Sequence, residues 1–264
     1  MAAASAPVRV TVADGVAEIL LDRPEAGNAI DPALAAALRA AVEEVVDRAD
    51  ARVIVLAASG PVFCVGGDLQ FMAARASDAS TALQDLADEL HAGLRALAGA
   101  RAPVIAKVQG VAAGAGLSLV CAADLAYAAD TATLTAAYSA VGLSPDGGMS
   151  WTLPRLVGRR RAAELMLTNR RVAADEAAAM GLITAAVTAA GLDDHVRSVA
   201  TRLAAGPAAA HAAIKALLRA SPAAGLSEQL EREAASIASL AGSATGLEGV
   251  AAFLEKRPPH FPER

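Results

Sequence analysis

The stretch from Pro103 to Asp124 is the one best suited to do chemistry with its main chain alone. Its β-branched run, Val104 to Val108, reads as a buried strand. Gly110, Gly114 and Gly116 follow, and the small apolar run Leu117 to Ala123 reads as a tightly packed helix. Glycines between a strand and a helix let the backbone approach a ligand closely. The helix start would aim unpaired N–H groups at a negative oxygen. The competing reading is a tight strand-to-helix turn that binds nothing. Two nucleotide motifs fail at this site. A dinucleotide fingerprint needs a glycine where Leu119 stands, and a phosphate loop needs a Gly-Lys-Ser/Thr ending. Lys107 and Gln109 interrupt the run, which argues against a membrane span.

Side chains with chemical potential are few. Asp146 lies in Ser144-Pro145-Asp146-Gly147-Gly148, where taken alone it reads as a turn or cap residue. His91, His195, His211 and His260 are far apart and lack metal-ligand spacing, so no metal site is expected. His91 falls at the edge of a leucine stripe, the ordinary place for a partly exposed surface histidine. Cys64 and Cys121 read as reduced thiols of a cytoplasmic protein. The N-terminal residues lack the basic region and apolar core of a signal peptide. A net charge of −5 argues against nucleic acid as the main partner. Aromatics make up only 3% of the chain against 55% apolar residues, so the core must be built from Ala, Val and Leu.

The elements that must position these residues can be read in order. Val8 to Val12 and Val16 to Leu21 predict a hairpin at Asp14-Gly15. After the loop Arg23 to Ala29, Asp31 caps a helix with Pro32 at its first position, and Leu34, Leu38, Ala41, Val42 and Val45 form its stripe. Arg52 to Ala57 is a buried strand, and Ser59 to Asp68 a glycine-containing loop. A helix with the stripe Leu83, Leu86, Leu90, Leu94 and Leu97 precedes Pro103. Strands at Leu125 to Ala129, Ala132 to Leu134 and Leu182 to Val187 alternate with helices. Thr245 and Glu248 predict a capping box for the last helix. Strands mixed with helices, then helices alone from about Arg197, indicate an α/β core with a helical C-terminal region. The expected division is residues 1–196 and 197–264.

Three segments then resemble the crotonase (enoyl-CoA hydratase/isomerase) superfamily: Phe63 to Leu69, Gly110 to Gly116, and Gly142 to Gly148. Arg23-Pro24 and Leu153 to Gly158 add to the match, which runs from about Val8 to Arg257. The resemblance implies a spiral of ββα units, a helical C-terminal trimerisation region, and a homotrimer or dimer of trimers. It implies an acyl-CoA thioester as substrate, with coenzyme A part of that substrate and no separate cofactor. It also implies an oxyanion hole from the amides of Gly67 and Ala115, with alanine standing where the family usually has glycine. Coenzyme A is expected near Arg23, Ala26 and Ala29 and near Gly66, Asp68 and Leu69. Phe253 and Lys256 are expected to reach its adenine from a neighbouring subunit. The segment after Asp68, with Ala73, Ala74, Ala76 and Ser77, is expected to cover the acyl pocket.

The glutamates of the family's hydratases match Ser118 and Tyr138 here, and neither is a carboxylate. Asp146 matches the single acid of the family's isomerases, including the ring-opening isomerases of phenylacetate breakdown. One carboxylate can remove a proton from one carbon and return it to another, so an enoyl-CoA isomerase is expected. Hydration remains an alternative. The run Arg161 to Arg170 is also similar to 4-chlorobenzoyl-CoA dehalogenases, in which Asp146 would match the nucleophile, His91 the assisting histidine, and Tyr138 the place of a tryptophan. A non-catalytic acyl-CoA binder is the remaining reading.

Overall fold

The hairpin forms as its pattern predicts: β1 (Val8–Ala13) and β2 (Val16–Leu21) pair antiparallel in the computed structural model, which describes residues 6–261. The Asp31 carboxylate accepts the Leu34 amide at 2.8 Å and starts α1 (Pro32–Val46), whose predicted stripe is buried. β3 (Val53–Ala58) is buried at every position, as an inner parallel strand must be. Next come α2 (Leu69–Ala74), α3 (Ala79–Gly99), β4 (Val104–Val108), β5 (Ala112–Ala113) and α4 (Ala115–Ala122). β6 (Leu125–Ala129) and β7 (Thr133–Thr135) precede α5 (Met149–Val157) and α6 (Arg159–Thr168). β8 (Val172–Ala173), α7 (Ala174–Ala179) and β9 (Ala185–Val187) follow. The chain then runs through α8 (Leu192–Ala204), α9 (Ala208–Ala220), α10 (Leu226–Ala241) and α11 (Ala244–Leu254).

The main sheet has the order β1-β2-β3-β4-β6-β9 and is parallel from β2 onward. β5, β7 and β8 make a second, smaller sheet. From β4 to β7 consecutive strands alternate between the two: β4 and β6 enter the large sheet, β5 and β7 the small one. Repeating this step winds the chain into the expected spiral of ββα units. Ile19, Leu21, Ile54, Leu56 and Ile105 have almost no exposure. Each such burial stabilises by roughly 1.5–3 kcal/mol. Aliphatic side chains thus supply what aromatics do not.

The glycine turn behaves differently from the simplest expectation. Its close approach is to another part of the main chain. A Cβ on Gly116 would overlap the carbonyl oxygen of Cys64. A parallel bridge between Cys64 and Ala112 joins the same two segments. The Ser59–Asp68 loop is therefore laid directly on the start of α4.

Other expectations need correction. The cap of α11 is Ser243, whose hydroxyl accepts the Gly246 amide at 3.1 Å, not Thr245. Glu248 is taken instead by the Arg257 guanidinium at 2.7 Å and the His260 amide at 2.7 Å. The last strand begins at Ala185, because the Leu182 and Ile183 amides turn back to the Ala177 carbonyl. The expected division at 196/197 falls inside α8, whose Val196, Val199 and Ala200 are buried against the sheet.

Candidate active site

Two main-chain amides are left unpaired by the geometry around them. Ile30 forms a parallel bridge with Gly67, donating to the Gly66 carbonyl at 2.7 Å and accepting the Asp68 amide at 2.9 Å. In such a ladder the bridged residue's own N–H points away from its partner strand. The Gly67 N–H accordingly has no acceptor among the described residues. Ala115 is the first residue of α4, where an amide has no carbonyl one turn earlier, and it too has no acceptor among the described residues. The two segments touch: a Cβ on Gly66 would lie 3.2 Å from the Ala115 nitrogen. Gly67 and Ala115 line one cavity of about 360 Å³. The positive partial charge of the α4 start adds to the attraction for an anionic oxygen.

Asp146 lines the same cavity. Its Oδ1 accepts the Tyr138 hydroxyl at 2.5 Å, and its Oδ2 lies 4.0 Å from His91 Nε2. Burial first, and then the Asp146 carboxylate, push the Tyr138 phenol above its ordinary value. Tyr138 therefore stays protonated and serves as a donor. Ser118 is fully buried; its Oγ lies 3.1 Å from the Tyr138 oxygen and donates to the Asp146 main-chain carbonyl at 3.0 Å. The two positions that the family resemblance equates with glutamates are thus in contact, beside one aspartate. His91 is partly exposed, as its stripe-edge position suggested, yet it is not without a partner. Its Nε2 accepts the Gly147 amide at 3.0 Å.

The expected coenzyme-binding residues divide into groups. Gly66 and Leu69 line the cavity. Asp68 caps α2, accepting the Gln70 and Phe71 amides at 2.9 and 3.2 Å. The Arg23 guanidinium is held internally, by the Ala29 carbonyl at 2.9 Å and by Asp31 at 2.8 Å. Ala26 belongs to the single helical turn Pro24–Ala26 at the same loop. Phe253 and Lys256 do not line the cavity of their own chain. Leu69, Met72 and Ser80 line the cavity, and the small residues Ala73, Ala74, Ala76 and Ser77 do not. Leu83, Leu86, Leu90, Val141 and Leu143 supply much of the apolar wall. The stripe on α3 signalled that Leu83, Leu86 and Leu90 face inward, but not that their neighbour is an open cavity.

Residues 11–264 match the family model described as enoyl-CoA hydratase/isomerase. A Rhodobacter capsulatus protein named as a probable enoyl-CoA hydratase is 44% identical over 97% of this chain and 98% of its own length. The 1,2-epoxyphenylacetyl-CoA isomerase of Escherichia coli is 35% identical over 95% of this chain and 96% of its own. Among solved structures, an enoyl-CoA hydratase from a Polaromonas species superposes with a TM-score of 0.92 at 34% identity, covering 97% of this chain and 99% of that one.

Proposed function

The chain belongs to the enoyl-CoA hydratase/isomerase family, and from that premise we propose that it shifts the double bond of enoyl-CoA thioesters. One observation carries this reading. Asp146 is the single carboxylate among the residues lining the cavity that holds the free Gly67 and Ala115 amides. The thioester carbonyl accepts both N–H groups. Asp146 Oδ2 removes a proton from one carbon, the enolate oxygen is held by the two amides, and the same carboxyl returns the proton to another carbon. Each amide is worth roughly 3 kcal/mol toward that enolate. Tyr138 keeps Oδ1 engaged and leaves Oδ2 for the proton. Hydration by paired carboxylates has no second acid here, since Ser118 and Tyr138 occupy the matching places. Proximity of His91 to Asp146 also supports a hydrolytic dehalogenase, but the His91 Nε2 lone pair is already used by Gly147.

Coenzyme A, in this reading, lies along the Arg23–Ala29 loop and the Gly66–Leu69 segment, met mainly by main-chain groups. The apolar faces of the C-terminal helices are covered by further copies of the chain, three or six in all. The test is a panel of 2-enoyl, 3-enoyl and aryl thioesters followed by mass spectrometry. Exchange between 2-enoyl and 3-enoyl forms supports the reading; water addition marks a hydratase, and chloride release from a chloroaryl thioester marks a dehalogenase. Asp146→Ala is expected to keep coenzyme A binding and lose turnover by about a hundredfold or more. Full activity in that variant would refute the mechanism.

A further inference from the structure

The peptide that joins Asp146 to Gly147 is gripped on both of its polar sides. Its carbonyl accepts Ser118 Oγ at 3.0 Å, and its N–H donates to His91 Nε2 at 3.0 Å. The carbonyl and N–H of a trans peptide point in opposite directions, so the two partners pin one plane between them. They come from different helices, Ser118 from α4 and His91 from α3. Both helices are anchored in the core: Leu86, Leu90 and Leu97 of α3 are buried, as is nearly all of α4. The pinned plane fixes ψ of Asp146 and φ of Gly147, which sits at +59°. With the plane held, ψ of Asp146 sets the direction in which its Cα–Cβ bond leaves the peptide, and Tyr138 holds the carboxylate at Oδ1.

We infer that His91 and Ser118 are positioning residues that clamp the Asp146–Gly147 peptide, and that His91 works as a hydrogen-bond acceptor, not as a base. The inference rests on Asp146 being the acid/base of the proposed reaction. The proton accounting requires it. An Nε2 that accepts an N–H carries no proton, so the neutral ring holds its proton on Nδ1. To act as a base through Nε2 the ring would have to release Gly147. It would then leave a part-buried amide unpaired and the carboxylate unaimed. Holding a reacting group to within an ångström is worth about a hundredfold in rate.

The experiment compares His91→Leu, His91→Gln and Ser118→Ala in the full-length protein, with trans-3-hexenoyl-CoA as the probe and circular dichroism as the check on folding. Glutamine can place its Oε1 near the position of Nε2 and accept the amide, but it cannot take up a proton at neutral pH. His91→Leu is expected to lower kcat by about a hundredfold with KM within about twofold, and His91→Gln to restore most of that loss. Ser118→Ala is expected to lower kcat in the same direction. The 15N shifts of His91 in the wild-type protein are expected to show an unprotonated Nε2. A His91→Gln enzyme as impaired as His91→Leu would overturn the inference, and so would a protonated Nε2. Asp146→Asn is measured alongside. Wild-type turnover in that variant sinks the acid/base reading, while the tautomer measurement still tests the clamp on its own.

Discussion

Alanine at position 115 looks like a departure from a glycine-lined site, yet the backbone explains why it is tolerated. The left-handed residue at this corner is Gly114, with φ of +53°, while Ala115 already has ordinary helical geometry. An amide is all that the proposed reaction needs from it. The cysteine beneath the neighbouring loop follows the same logic of main-chain service. Cys64 Sγ accepts the Gly66 amide at 3.4 Å, and burial pushes its thiol up to about 12. Burial does the same for Cys121, also to about 12. A thiol reacts as its thiolate, and with the pKa raised that form is nearly absent at pH 8. The folded protein should therefore show no fast reaction with a disulfide dye at pH 8, and both thiols should react once denaturant is added. Rapid labelling of the native protein would mean that the loop under Gly66 is not packed as described. That Gly67, Ala115 and Asp146 would meet at one cavity is legible in the sequence because each sits inside a short motif. The role of His91 is not, because its partner is a main-chain amide 56 residues away, and such a bond leaves no mark on residue type.

Between elements, one side chain ties the loop that carries Gly67 to its neighbour. Asn28 is fully buried, with φ of +55°. Its Oδ1 accepts the Arg23 amide at 2.9 Å, and its Nδ2 donates to the Ser59 carbonyl at 3.0 Å and the Val62 carbonyl at 2.9 Å. These bonds hold the Arg23–Ala29 loop against the Ser59–Asp68 loop and bring Ile30 to its bridge with Gly67. Asn28→Asp keeps the shape but turns a donor toward two carbonyls into an acceptor. It is expected to cost about 3 kcal/mol, a fall in Tm on the order of 10 °C by calorimetry. A variant as stable as wild type would show that the loops are held by packing alone. The longer elements are legible because hydrophobic period and capping agree in them, as in α1 and α3. β5 and β8 are two residues each, too short to show any period, so the second sheet cannot be read from the chain alone. The α11 cap is ambiguous in sequence because serine and threonine both stand at its start, and the bond from the Gly246 amide to the Ser243 hydroxyl decides between them.

At the scale of the molecule, the C-terminal helices pose a problem that a single chain does not solve. α9 and α10 contain no buried residue. Leu218, Leu226 and Ile237 are about 70% exposed, and Phe253 of α11 is 83% exposed. Helices of this length gain most of their stability by burying an apolar face, and these faces meet water in the isolated chain. Exposed apolar area on this scale marks an association surface. In the proposed assembly further copies of the chain cover these residues, which recur along three consecutive helices. Sedimentation at micromolar concentration should give three or six times the single-chain mass of 26.4 kDa. Placing glutamates at Leu226 and Ile237 together buries charge at that surface, so the variant should sediment as smaller species and unfold at lower temperature. Wild-type protein sedimenting at the single-chain mass would overturn the assembly. It would also remove the route by which Phe253 and Lys256, which lie off the cavity of their own chain, could reach a coenzyme bound next door.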